Sequence, residues 1–137
     1  IMADINAIAD ELAQDEQGAP ILILQKDGDP YLAPDGSEVT ITVLGTDSKA
    51  FRHAKEVTQR KLLRTRRTKL EPADLLDNRI THAAAAIVGW HGWVSGDQPF
   101  PFTPDNAKAL LRAEHILEQV EAGIAGHADF FKRSSRS

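Results

Sequence analysis

The sequence contains no cysteine. That excludes disulfide staples, thiolate nucleophiles and thiolate metal sites together, and it suits a reducing compartment. Long apolar runs are missing as well. The longest, Ala83–Trp90, includes four alanines and a glycine and falls far short of the about 20 residues that span a bilayer. The opening Ile-Met-Ala-Asp-Ile-Asn has no basic or apolar leader pattern, so no signal peptide is expected. Neither phosphate-cradling glycine loop is present, nor is the G-x-S-x-G elbow of a serine nucleophile. The five histidines are His53, His82, His91, His115 and His127. No two are four apart, and none belongs to a His-Glu-x-x-His pattern, so surface or internally satisfied imidazoles are expected and no metal site. Asp27, Asp29 and Asp35 lie in turn sequences and lack the spacing of a calcium loop. With no catalytic constellation, the chain is expected not to be an enzyme and to carry no cofactor.

What is present describes one globular domain. The 137 residues are 42% hydrophobic and 26% charged, ordinary values for a domain that buries roughly two-thirds of its unfolded surface. Asp4 is placed to cap a helix with Ile5, Ile8 and Leu12 on one face, ended by Gly18 and Pro20. Pro20–Lys26 reads as a strand apolar on both sides. Asp27-Gly28-Asp29-Pro30 and Pro34-Asp35-Gly36 are turns around a short Tyr31–Ala33 strand. Glu38–Leu44 alternates with period two, putting Val39, Ile41 and Val43 on one face.

After Gly45, Thr46-Asp47-Ser48 supplies N-cap residues for a polar helix running to about Arg67. Glu71-Pro72 starts the cleanest amphipathic helix, carrying Leu76, Ile80, Ala83, Ala84 and Ile87 and ending in Gly89–Trp93. Val94–Phe102 reads as a loop, Thr103-Pro104 starts another helix, and a last helix bears Leu117, Val120, Ile124 and Phe131. The expected fold is therefore α+β: a mainly helical single domain with a small N-terminal antiparallel hairpin or three-stranded element. Its parts are an N-terminal helix within 1–18, a β element at 20–44, a helical region at 46–131 and a fraying tail at 132–137.

Two features stand out as binding candidates. The net charge of −4 opposes nonspecific nucleic-acid binding by the whole chain. Yet Arg60, Lys61, Arg64, Arg66, Arg67 and Lys69 cluster, while the first sixteen residues carry only acids. The plain reading is a solvated helix end favoured by the helix dipole. The sharper one is a docking surface for an acidic partner, or for a nucleic-acid backbone, although no aromatics are interleaved for base stacking. The acidic N-terminal segment also suits this basic face in a neighbouring copy. Trp90, Trp93, Phe100 and Phe102 form the second feature. Trp90 and Phe102 border helices and are expected to pack; Trp93 and Phe100 stand open between packing and an exposed anchor.

Two blocks carry a resemblance. Val39-Thr-Ile-Thr-Val-Leu-Gly-Thr-Asp-Ser-Lys-Ala-Phe-Arg52 resembles the front of tail assembly chaperones of long-tailed phages with non-contractile tails. There a strand leads through Gly45 to Asp47-Ser48 and a long basic helix. Gly89-Trp90-x-Gly92-Trp93, Gly96-Asp97, Pro99-Phe-Pro-Phe-Thr-Pro104, Asn106-Ala107 and Leu110-Leu111 are similar to the loop and helix ahead of that family's final helix. The resemblance covers about 38–131. It implies binding to the tape measure protein, recruitment of tail tube subunits, self-association, action in the bacterial host cytoplasm and absence from the mature virion. It also implies a longer frameshifted form, for which codons around Asp129-Phe130-Phe131 are the candidate slip site. On this reading Arg60, Arg64, Arg67, Trp93 and Phe100 are the partner-binding candidates. The rival readings are a structural minor tail or head–tail connection protein, and a nucleic-acid-binding regulator acting through 60–69.

Overall fold

Thr40–Val43, buried at alternate residues, is the middle strand of the main sheet because it is paired along both edges. The computed structural model describes residues 4–65 and 71–135. Along the chain come α1 (Ile5–Gln14), β1 (Ala19–Leu22), β2 (Thr40–Val43), α2 (Lys49–Thr65) and α3 (Pro72–Ala86). There follow β3 (Ile87–His91), β4 (Val94–Ser95), β5 (Gln98–Pro99), α4 (Pro104–Leu110), α5 (Glu114–Ala125) and α6 (His127–Ser135). The fold is α+β, mainly helical, with a three-stranded antiparallel sheet in the order β1-β2-β3 and a separate β4–β5 ribbon. Ile41 and Val43 are fully buried while Thr40 and Thr42 are half-buried, as the period-two pattern requires.

The third strand is the main departure from expectation. The helix expected to run into Gly89 stops at Ala86, and Ile87–His91 pairs with β2, setting Ile41 opposite Trp90 and Thr42 opposite Gly89. β-Branched Ile87 and Val88 followed by glycine fit a pleated strand better than a helix end. The free edge of β2 supplies the backbone partners. A register irregularity between Thr42 and Val43 leaves Val88 exposed, as a bulge does.

The segment expected to give β1's neighbours is less regular. Pro20–Lys26 carries apolar residues on both sides but only one side is buried, with Ile23 inside and Leu22 exposed, and the strand itself ends at Leu22. Leu24 and Leu32 make only single bridges, to Pro30 and Glu38. The Gln119 side chain fastens this segment to α5. Its Oε1 accepts the Leu24 N–H at 2.7 Å and its Nε2 donates to the Leu24 carbonyl at 2.8 Å.

Helix starts follow the sequence signals. Asp4 accepts from the Asn6 N–H at 3.0 Å, and Thr103 accepts from the Asn106 N–H at 3.0 Å with Pro104 behind it. Glu71 and Asp74 form a reciprocal cap on α3. The single last helix of the sequence reading is two, α5 and α6, divided at Gly126, and α6 extends to Ser135, into the stretch expected to fray. Ile80, Ala83, Leu111, Leu117 and Val120 join Ile23, Ile41, Val43 and Ile87 in one core. In it α3 and α5 pack together and α5 meets β2, while α2 lies against α3.

Candidate functional site

The start of α2 is built by acids from the end of α1. A helix N-terminus exposes four backbone N–H groups without internal partners. Asp15 Oδ2 accepts the Asp47 N–H at 2.8 Å, Glu16 Oε1 accepts the Lys49 N–H at 2.6 Å, and buried Ser48 sets its hydroxyl 3.4 Å from the Phe51 nitrogen. Gly45 makes the close approach possible, because a Cβ there would sit 2.5 Å from the Asp15 carboxyl carbon.

From that anchor α2 runs 17 residues, about 25 Å, with no buried residue. Phe51, Ala54, Thr58 and Leu62, spaced along one flank, are half-buried. The rest faces solvent. Lys49, Arg52, Lys55, Arg60, Lys61 and Arg64 are all exposed, and Glu56 is the one acid among them. Among the described residues, Arg60 alone of these bases has an ion pair, with Glu56 at 3.7 Å. Such an exposed pair contributes at most about 0.5 kcal/mol. Arg60 and Arg64 are thus an outward basic surface; Arg67 lies outside the described residues.

Trp93 and Phe100 are placed elsewhere, at the end of the sheet. Trp93 is half-buried, its ring centroid 5.3 Å from that of Tyr31, and its Nε1 is buried with no acceptor among the described residues. Phe100 lies parallel to Trp90 at 5.6 Å, and its carbonyl accepts the Trp90 Nε1–H at 2.9 Å. Phe102 meets Trp90 edge-on at 5.3 Å. Trp90 and Phe102 pack inward as expected, and Trp93 and Phe100 each turn a face to an internal ring too. All four residues of the β4–β5 ribbon are exposed, with Val94 the large apolar side chain among them. The four candidates among the described residues, Arg60, Arg64, Trp93 and Phe100, therefore do not converge on one site.

A cleft of about 260 Å³ opens between Phe51 and Lys55 of α2, Arg79 and His82 of α3, and Glu121 and Ile124 of α5. Two of its charges, Arg79 and Glu121, are paired with each other. Arg79 donates to Glu121 through Nε at 3.1 Å and Nη2 at 2.6 Å, and this pairing raises the guanidinium pKa further. Thr58 Oγ1 donates to the Ala54 carbonyl and lies 2.8 Å from His82 Nε2, which leaves Nε2–H as the donor between the two. Burial, with the nearby Lys55 charge second, holds His82 below its ordinary pKa. The other histidines are dispersed. His53 is exposed on α2, while His91 meets Ser37, His115 meets Tyr31 and His127 meets the Gln17 carbonyl. Among the described residues no three metal-ligating side chains gather.

Two surfaces escaped the sequence reading. The first is an apolar groove of about 310 Å³ between Ala54 of α2, Ala84 and Ala85 of α3, Ile87 of β3, Phe102, and Lys108 of α4. Its one signal was the run Ala83–Ala86, since alanines leave room between helices. The second is α1, whose Ile5, Ile8 and Leu12 are 78%, 51% and 44% exposed. The period placed them on one face but said nothing of what that face meets. No family model, curated protein or solved structure matches the chain.

Proposed function

We propose that this chain is a tail assembly chaperone of a long-tailed phage. In this reading it is a non-catalytic binding protein of the host cytoplasm that holds the tape measure protein in solution and helps gather tail tube subunits around it. The observation that carries the reading is α2, a long helix with no buried residue and six exposed bases against one acid. A helix attached along one flank offers its other side to a second helix, and a long amphipathic chain such as a tape measure presents helical segments repeatedly. Many weak contacts of that kind add up through multivalency. The two blocks that carry the resemblance support the reading further. Val39–Arg52 spans β2, the Gly45 approach and the first turn of α2, while Gly89–Leu111 spans most of β3, the β4–β5 ribbon and α4.

The test is co-expression with the tape measure protein, followed by solubility and co-purification. The tape measure is expected to be soluble only with this chain and to elute with it. Arg60→Glu, Arg64→Glu and Arg67→Glu together are expected to weaken the complex at least tenfold and flatten its salt dependence. A tape measure that stays insoluble and unbound would overturn the proposal. Recovery of the chain from purified particles would point to a structural tail component. Steeply salt-dependent DNA binding lost in the triple variant would favour the nucleic-acid reading.

A further inference from the structure

The cleft between α2, α3 and α5 holds an ammonium that no carboxylate among the described residues meets. Lys55 Nζ lies 4.6 Å from the centre of the Phe51 ring, and both side chains line the cleft. An aromatic face attracts a cation without neutralising it, and an ammonium has three N–H donors. Lys55 therefore keeps its charge and its donors for an anion. The other charges of the cleft cancel, because both oxygens of Glu121 accept from Arg79, at 2.6 and 3.1 Å. Glu114 and Glu118, which also act on Arg79, are not among the described walls. His82, its pKa lowered by burial and by Lys55, adds no charge at neutral pH. The cleft is left net positive through Lys55.

The remaining walls are apolar and firmly held. Ala83 and Ile124 are buried and form the floor, Phe51 is half-buried, and Ala125 stands exposed at the rim. Ala83 and Ile124 belong to the core shared by the sheet, α3 and α5, so packed helices rather than a loop set the shape. Mostly apolar walls with a few placed polar groups, between helices, are what small-molecule sites have in common. The volume of about 260 Å³ falls below the about 300 Å³ at which sites for drug-sized ligands begin. A ligand that fits is therefore compact.

We infer that this cleft binds a small organic monocarboxylate with a compact apolar body. The carboxylate pairs with Lys55, and the body lies against Phe51, Ala83 and Ile124. A dianion would set its second charge near Glu121 with no free cation to meet it, and an amine of the same shape is repelled by Lys55. The cleft lies on the side of α2 that faces α3 and α5, so the assignment does not depend on tape measure binding.

Benzoate and benzamide, alike in shape and different in charge, are the probes. Each is titrated at neutral pH into the isotope-labelled full chain, and amide and methyl resonances are followed. Benzoate is expected to give saturable shifts centred on Phe51, Lys55, Ala83 and Ile124. Benzamide is expected to bind at least about tenfold more weakly, the difference that one hydrogen bond to a charged group makes. Lys55→Gln, at an exposed position, should bring benzoate down to the benzamide level. Ala125→Leu, also at an exposed position, should weaken both probes by filling the mouth of the cleft. No saturable shift with benzoate up to about 10 mM, a concentration that fills even a weak site, would overturn the assignment. So would benzamide binding as well as benzoate, shifts confined to the outward bases of α2, or benzoate binding indifferent to Lys55→Gln or to Ala125→Leu.

Discussion

His82 shows how a side chain that invites a functional reading is used for structure. Its ring lies between α2 and α3, bonded to Thr58, and burial together with Lys55 lowers its pKa below the unfolded value. The unfolded chain therefore binds the proton more readily than the folded one. The stability due to neutral His82 is fully present above the unfolded pKa and is lost as the pH falls through the folded one. Urea midpoints measured between about pH 8 and pH 5 are expected to fall less steeply in His82→Gln than in the parent chain, because glutamine keeps a donor for Thr58 without titrating. Equal slopes would remove His82 from the acid response. Other residue-scale partners were beyond the sequence. Nothing in the order of the letters brings Gln119 to Leu24, or Asp15 against Gly45, since those contacts depend on how distant segments pack.

At the scale of elements, legibility followed local chemistry. Caps marked the starts of α1 and α4, and the proline after Glu71 marked the start of α3, because capping is decided within four residues. β2 was legible from strict alternation. β3 was not. Its Ile-Val-Gly-Trp follows an alanine run, and periodicity alone cannot separate a short apolar strand from a helix end; the open edge of β2 decides the matter, 44 residues away from Val43 to Ile87. The ribbon after it was hidden for a similar reason, being only two residues a side. The elements also differ in what they contribute to stability. Leu117 of α5 is fully buried, whereas Ile8 of α1 is half exposed. Leu117→Ala is expected to cost about 2–5 kcal/mol in urea unfolding. Ile8→Ala should stay within about 0.5 kcal/mol when measured on single copies at low concentration. A large loss from Ile8→Ala under those conditions would mean that α1 packs on its own domain.

Across the whole molecule, fold class was the most legible property, since one domain, mostly helical, with a small sheet follows from counting periodic segments. The candidate site was legible only in part. The basic and largely solvated character of α2 could be read from its sequence, but not which flank it sets against α3. The aromatic cluster was equally visible, and the inward ring contacts of Trp93 and Phe100 emerge only when the sheet end is assembled around Tyr31 and Trp90. One core joins the sheet to α3 and α5, so both should melt together. Tryptophan fluorescence reports the sheet end through Trp90 and Trp93, and far-ultraviolet circular dichroism reports the helices. The two midpoints are expected to coincide in thermal or urea unfolding. Separate midpoints would divide the molecule into two cooperative units.

The path of the chain between β2 and β3 also governs the order in which structure can form. The α2–α3 segment occupies the interval between these neighbouring strands, so their pairing closes a long loop, whereas β1 and β2 are joined by nearer contacts. Loop closure of that kind slows folding. During synthesis from the N-terminus, β2 leaves the ribosome with one edge open and keeps it open until His91 has followed. Through that interval the nascent chain carries an unpaired strand edge, the feature most apt to join a neighbouring chain, and completion of β3 is the step that closes it.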